Sequence, residues 1–341
     1  MSAAYSKTLD RLLDGQSLTE DEAYALMNTL AEGVLEPALA GALLAGLRAK
    51  GETADEIRGF ARAMRELAVR PEIPAGAPTV DTVGTGGDAS GSLNLSTGTG
   101  LLAAAAGARV VKHGNRSVSS RSGSADMLEC LGMPLPLDEK AAVDCLEATG
   151  FTFLFAPAYH PAMKAVVPVR AALSVRTVFN MLGPLTNPAE TPYQLIGAWS
   201  PDAARLMAET LAGLPIERAF VVHGEPGWDE ATPVGEFLMF DVRPGRVDET
   251  RRTPEDYGLS RCAPEDLAGG DAEHNARELE RVFAGEDTGP HRDALLMGTS
   301  LVLEVQGLAD DPRQGVGVAA ETIDSGRAAE LIRNLREHFL P

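Results

Sequence analysis

Two glycine- and hydroxyl-rich stretches give the chain its first sign of chemistry: DTVGTGGD (81–88) and, close behind it, NLSTGTG (94–100). A glycine turn leaves backbone N–H groups open to a ligand. Ser96 and Thr97 add hydroxyl donors where a helix would begin, a combination that suits phosphate. Further on, KHGNRSVSSRSGSADMLECLG (112–132) surrounds Lys112, Arg116 and Arg121 with glycine, asparagine and five serines. Such a donor-rich loop can close over a polyanion such as a pyrophosphate. Asp229 and Glu230 stand side by side in HGEPGWDE (223–230), and adjacent carboxylates favour a hard dication.

The placement of charge points the same way. Residues 89–125 contain no Asp or Glu across 37 positions, where the overall composition would place about five. Arg109, Lys112, Arg116 and Arg121 nevertheless lie inside this block. Residues 148–189 are also free of acids and keep Lys164, Arg170 and Arg176. Burial alone would remove charges of both signs, so the imbalance argues for a local anion site. Gly84, Gly86 and Ala89 also fit the loose dinucleotide fingerprint GxGxxA, yet no acid follows before Asp126 to hold a ribose, and no GxxxxGK[ST] loop exists. Dinucleotide binding and Walker-type hydrolysis are set aside.

The elements that position these residues fall into two groups. Residues 1–70 read as successive helices. Thr19 with Glu22 forms a capping-box pattern ahead of Ala23, Leu26, Met27 and Leu30, and Thr53 with Glu56 does the same ahead of Ile57, Phe60, Ala61 and Met64. PEIPAGAP (71–78) breaks that pattern. Strand candidates then follow at TVDTV (79–83), RVVKH (109–113), FTFLFA (151–156), YQLIGA (193–198), RAFVVHG (218–224) and EFLMFDV (236–242). Helical segments separate most of them, one with Ser200 and Pro201 suited to its start. The expected fold is α/β: a small helical domain over 1–70, completed by helices around 160–190, and a larger domain over 78–341 with a mostly parallel sheet flanked by helices. Ligands of such sheets sit beyond the carboxyl ends of the strands. The acidic, turn-rich stretch 243–275 reads as surface loop.

Composition narrows the function. The 341 residues carry 49 acids against 30 Lys and Arg, a formal charge of −19, which repels nucleic acid and anionic membranes. Three cysteines, Cys130, Cys145 and Cys262, form neither a disulfide framework nor a zinc pattern. The amino terminus shows no basic start followed by an apolar run, and no stretch approaches the ~18 apolar residues of a membrane span. A soluble cytoplasmic protein with reduced thiols is expected.

Taken in order, GTGGD, NLST, KHGNRSVSSRSGSADMLECLG and VRTVFNMLGPLTNP (175–188) resemble the anthranilate phosphoribosyltransferase family. Pyrimidine nucleoside phosphorylases share the KHGNR…SS.SG.AD part. The resemblance implies transfer of phosphoribosyl from phosphoribosyl pyrophosphate (PRPP) to the amine of anthranilate in tryptophan biosynthesis, with magnesium, two ions per chain, and a homodimer built through the helical module. By motif position, PRPP would meet Gly84, Gly87, Asp88, Ser92, Asn94, Ser96, Thr97, Lys112, Ser120 and Ser124. Anthranilate would meet Gly84, Asn115 and Arg170, with His160 either bordering this acceptor or capping its helix. Ser96, Asp229 and Glu230 would hold magnesium. No covalent nucleophile is implied; Lys112 and the metal would stabilise the transition state. Ser174 stands where the family has Gly before the VRT-type segment, and Leu93 replaces the usual Phe or Val. A pyrimidine nucleoside phosphorylase and a noncatalytic nucleic-acid-binding paralogue remain the alternatives.

Overall fold

The structure is a computed structural model describing residues 2–88, 90–117 and 121–340. Four helices open the chain: α1 (Ser2–Leu13), α2 (Glu20–Glu32), α3 (Pro37–Lys50) and α4 (Ala54–Glu66). Both expected capping boxes form. Thr19 accepts from the Glu22 amide and Thr53 from the Glu56 amide, while each glutamate reaches back to the cap's own N–H, satisfying donors that a helix start leaves open.

Strands and helices then alternate as β1 (Thr79–Gly84), α5 (Leu95–Ala105), β2 (Arg109–Gly114), α6 (Ser124–Cys130), α7 (Glu139–Thr149) and β3 (Phe151–Phe155). Three short helices follow, α8 (Ala156–Tyr159), α9 (Val167–Leu173) and α10 (Phe179–Leu185), then β4 (Tyr193–Gly197), α11 (Pro201–Leu211) and β5 (Arg218–Gly224). Ser200 caps α11 through the Ala203 amide with Pro201 in its first turn, as its sequence suggests. The chain ends with β6 (Phe237–Arg243), β7 (Arg246–Arg252), α12 (Ala272–Phe283), α13 (Pro290–Gln306), α14 (Pro312–Asp324) and α15 (Arg327–His338).

The seven strands run in the order β3-β2-β1-β4-β5-β6-β7. The first five are parallel and the last two antiparallel, so the sheet is mostly parallel, as expected. The strand β7 corrects the reading of 243–275 as loop. Its sequence, RVDETRR, has no buried residue to alternate, because it lies on the sheet edge, where charged side chains guard against unwanted pairing.

Two apolar cores flank the sheet. One gathers Val110, Phe151, Phe153 and Phe220 with residues of α5, α7 and α12–α15. The other joins α1–α4 to α10, α11 and the opposite sheet face at Ile196, Val221, Leu238 and Phe240. Apolar packing is therefore continuous from the amino-terminal helices into the sheet. Strand order reverses between the parallel neighbours β1 and β4, the first continuing to β2 on one side and the second to β5 on the other. That switch point opens a crevice beyond the strand ends.

Candidate active site

The crevice is built from three connections that converge on the carboxyl ends of β1, β4 and β5. After β1 the glycine loop departs; after β5 the 225–236 connection folds back across both neighbours. Close approach at this point demands glycine. A Cβ on Gly84 would lie 2.6 Å from Asp229 Oδ2, and one on Gly197 would lie 1.5 Å from the Asp229 carbonyl oxygen. The Asp229 carboxylate accepts from the Gly86 amide at 2.6 Å and from the Thr85 hydroxyl at 3.3 Å. Its own amide donates to Asp88 Oδ2 at 3.3 Å. Glu230 turns the other way and accepts from the Ser96 amide at 3.1 Å, in the first turn of α5.

Lys112 lies beneath these carboxylates, 1% exposed. Its ammonium donates to the Thr82 carbonyl and, at 3.3 Å, to the Ser96 hydroxyl. One buried cation faces Asp81, Asp229 and Glu230. The imbalance registers in their protonation. Burial pushes Asp81 up to about 6. Desolvation, followed by the charge of Asp229, pushes the partly buried Glu230 up to about 8. Asp229 is raised by burial and by Asp88 beside it, while burial lowers Lys112. Excess negative charge next to open phosphate donors is what a hard dication would relieve.

A metal site here would not be a closed protein cage. Among the described residues, the one set of three acidic or histidine ligand atoms within 4.8 Å of one another is Glu278, Asp287 and His291, which belongs to the α12–α13 connection. Magnesium bound through one or two carboxylates and substrate phosphates needs no such cage. Asp88, Asp229, Glu230 and the Ser96 hydroxyl are a hard-oxygen set and fit it.

The remaining residues expected from sequence fall around this centre. Ser90 donates to Asp88 Oδ1 and pairs with Ser92 across 3.2 Å. Asn94 is held through its Oδ1 by Ser122 at 2.9 Å and Asn275 at 2.8 Å, and donates to the Ser122 carbonyl. The Thr97 hydroxyl is buried without a hydrogen-bond partner, and the whole residue is closed to solvent, so the structure does not bring Thr97 to the open face of the cleft. Asn115 leads into the serine loop, its carbonyl accepting from the Ala125 amide. Ser124 opens α6, and Ser120 lies outside the described residues. Arg170 is half-buried, its guanidinium 5.3 Å from the centre of the Phe179 ring, and no carboxylate of the described residues pairs with it.

His160 neither caps a helix with its side chain nor carries charge at neutral pH. It packs edge-on against His113 with ring centres 5.1 Å apart. Burial lowers His160 to about 4, and burial together with His160 lowers His113 to about 3.

Two parts of the basic-block argument need correction. Arg109 is spent on Glu147 and on the carbonyls of Pro74 and Ala77. Arg116 is spent on Asp126 at 3.0 Å and Glu129 at 2.5 Å. Both are structural ties whose acidic partners lie outside the acid-free block. Two residues went unnoticed as site residues. Asn275 had no signal, being a lone amide in a helix. Arg176 lay in the second acid-free block, and its guanidinium reaches the Gly87 carbonyl at 2.6 Å.

Comparison with known proteins fixes the family. A glycosyl transferase family helical bundle domain matches residues 6–68, and a glycosyl transferase family a/b domain matches residues 76–329. An anthranilate phosphoribosyltransferase from Rubrobacter xylanophilus is 47% identical over 331 residues, 97% of this chain and 96% of that protein. The chain belongs to the anthranilate phosphoribosyltransferase family. The crystal structure of an anthranilate phosphoribosyltransferase from Thermus thermophilus superposes with a TM-score of 0.90 at 44% identity, covering 97% of this chain and 98% of that one. The Saccharomyces cerevisiae anthranilate phosphoribosyltransferase in complex with PRPP and Mg reaches 0.89 at 26% identity, covering 99% and 98%. These relatives give no support to a nucleoside phosphorylase or to a nucleic-acid-binding paralogue. The family resemblance also gives Ser174 a meaning. It ends α9 in the left-handed region at φ 51, where glycine would be unstrained.

Proposed function

We propose that this anthranilate phosphoribosyltransferase family member transfers the phosphoribosyl group of PRPP to the amine of anthranilate, giving phosphoribosyl anthranilate and pyrophosphate for tryptophan biosynthesis. The observation that carries the reading is the Asp229 carboxylate seated on the Gly84–Gly86 turn at the strand switch point, in a chain with full-length relatives of that name. The pyrophosphate lies along the amides of Gly87 and Asp88, the Ser92 and Ser96 hydroxyls and Asn94, with Ser124 and, from the family resemblance alone, Ser120 completing its donors. Asp88, Asp229, Glu230 and the Ser96 hydroxyl would hold magnesium, taken as two ions per chain, and the metal would supply charge neutralisation for the pyrophosphate leaving group.

The bond from ribose C1 to the pyrophosphate oxygen breaks with its electron pair going to that oxygen, and the ring gains oxocarbenium character. The anthranilate nitrogen lone pair then forms the C1–N bond, and the proton it sheds leaves to water. Lys112 has no open path to the ligand, so it acts through its field and through the Ser96 hydroxyl it holds. The Arg170 fork takes the acceptor carboxylate, and Asn115 borders the acceptor. His113 and His160 line that end as neutral rings and do not serve as acids at neutral pH. Holding the aromatic amine in line suffices without a strong base.

We also propose that two chains associate through the helical module. Val34, Val167 and Val175, each more than half exposed at 51%, 53% and 52%, flank an apolar groove of about 630 Å³ that Leu30, Leu35, Ala38, Ala42 and Val169 help to line. None of the described helices is long and apolar enough to cross a membrane, which suits an enzyme of cytoplasmic biosynthesis. The deciding experiment mixes the protein with PRPP, magnesium chloride and anthranilate and follows the loss of anthranilate fluorescence. No change with active control enzyme alongside refutes the activity, and a monomer mass by light scattering refutes the dimer.

A further inference from the structure

Arg176 connects the glycine loop after β1, the indole just beyond β4 and helix α3. Its Nη2 donates to the Gly87 carbonyl at 2.6 Å. The guanidinium lies over the Trp199 ring, 4.6 Å from its centre, just beyond the end of β4. Its backbone carbonyl accepts from the Arg48 side chain on α3. No carboxylate of the described residues forms an ion pair with Arg176, although the chain carries 49 acidic residues. A cation kept unpaired, stacked on an aromatic face and aimed at a backbone carbonyl is fixing a conformation rather than balancing a charge.

The conformation it fixes is a soft one. Gly86 and Gly87 both sit at positive φ, 68 and 73, and glycine at such positions exchanges readily with other backbone states. The Gly87–Asp88 peptide is trans and planar, so its carbonyl and its N–H point in opposite directions. An anchor on the Gly87 oxygen therefore also sets the direction of the Asp88 amide, in the same residue whose carboxylate accepts from the Asp229 N–H.

We propose that Arg176 is a positioning residue for PRPP: through the Gly87 carbonyl it holds the Asp88 amide turned toward the pyrophosphate oxygens, and Trp199 holds Arg176. The inference rests on the PRPP reading of this cleft and adds to it a residue that touches no substrate. The loop stays pre-formed because its one flexible peptide is tied from behind. Removing the tie makes binding include the ordering of that peptide, so the loss falls on PRPP and spares the acceptor.

The test is calorimetric titration of wild type, Arg176→Ala, Arg176→Lys and Trp199→Ala with PRPP and magnesium, followed by initial rates against each substrate. Arg176→Ala is expected to weaken PRPP binding tenfold or more and to raise the KM for PRPP in step, with the KM for anthranilate within twofold of wild type. Arg176→Lys, which keeps one donor and loses the planar stack, falls between. Trp199→Ala shifts the same quantity by a smaller factor, and it carries the test if Arg176→Ala does not fold. Unchanged PRPP affinity in both alanine variants, or equal losses for the two substrates, overturns the positioning role while leaving the activity standing. Wild type that binds no PRPP overturns the reading of the cleft and this inference together.

Discussion

Replacing Glu230 with Gln removes one ionisable group from the carboxylate cluster while keeping an acceptor for the Ser96 amide, which Glu230 Oε1 now receives at 3.1 Å. Glu230 stands at about 8 in the folded protein against 4.5 as an ordinary carboxyl. A carboxyl raised on folding contributes stability that is complete below its unfolded value and is lost as pH rises through its folded value. The window therefore runs from 4.5 to about 8. The whole shift, at 1.36 kcal/mol per unit, would amount to about 5 kcal/mol. Glu230 keeps some contact with solvent, and water screens it, so about 2 to 4 kcal/mol is the expected loss. Urea unfolding in excess chelator at pH 5, 7 and 8.5 measures it. The wild type should weaken across that range relative to Glu230→Gln, and the difference between the two curves isolates Glu230 from Asp229. Magnesium with pyrophosphate should narrow the gap, since binding to the folded state adds stability. Calorimetry at pH 7 in buffers of different ionisation heat should show a proton released from wild type on binding and fewer from the variant. Parallel pH–stability curves for the two proteins would refute the reasoning, because they would mean that Glu230 is already ionised without a cation.

Arg170→Ala should raise the KM for anthranilate by about 10- to 150-fold, the equivalent of ~1.5 to 3 kcal/mol for hydrogen bonds to charged groups, and leave PRPP affinity nearly unchanged; aniline, which lacks the carboxylate, should be a poor acceptor for both proteins, and equal losses for the two acceptors would remove Arg170 from the carboxylate. Lys112→Ala should lower stability by about 1 to 3 kcal/mol in urea, since it leaves the buried Thr82 carbonyl without its donor and removes the cation that faces Asp81 and Glu230; an unchanged midpoint would show that neither loss matters to the fold. Ser174→Gly should raise the melting temperature by about 2 °C, because a left-handed residue with a side chain costs about 1 kcal/mol and the hydroxyl's bond to the Ala171 carbonyl at 2.8 Å offsets part of that; a lower melting temperature would mean that this bond outweighs the strain.

The legibility of the fold and of the site depended on how local each signal is. The parallel strands β1 to β5 could be read because each is a short apolar run between turns, and α2, α4 and α11 because caps and period lie within a few residues. The strand β7 could not, because an edge strand with both faces exposed has no burial to alternate. The acid-free blocks located the cleft but overstated its charge. Arg116 finds Asp126 just past the block's end, and Arg109 finds Glu147 on helix α7, so a run without acids does not mean that its arginines are free. Motif resemblance brought Asp229 and Glu230 to the site, yet nothing in the sequence says that Asp229 rests on the amide of Gly86, 143 residues away. That contact is made by chain crossing at the sheet switch point. Arg176 is the harder case. Its partners are a carbonyl oxygen and an indole face, and every residue in the chain offers a carbonyl, so no spacing of side-chain types could single out Gly87. Interactions between charged side chains leave a trace in composition, whereas a side chain that fixes backbone leaves its trace only in the glycine that had to be held.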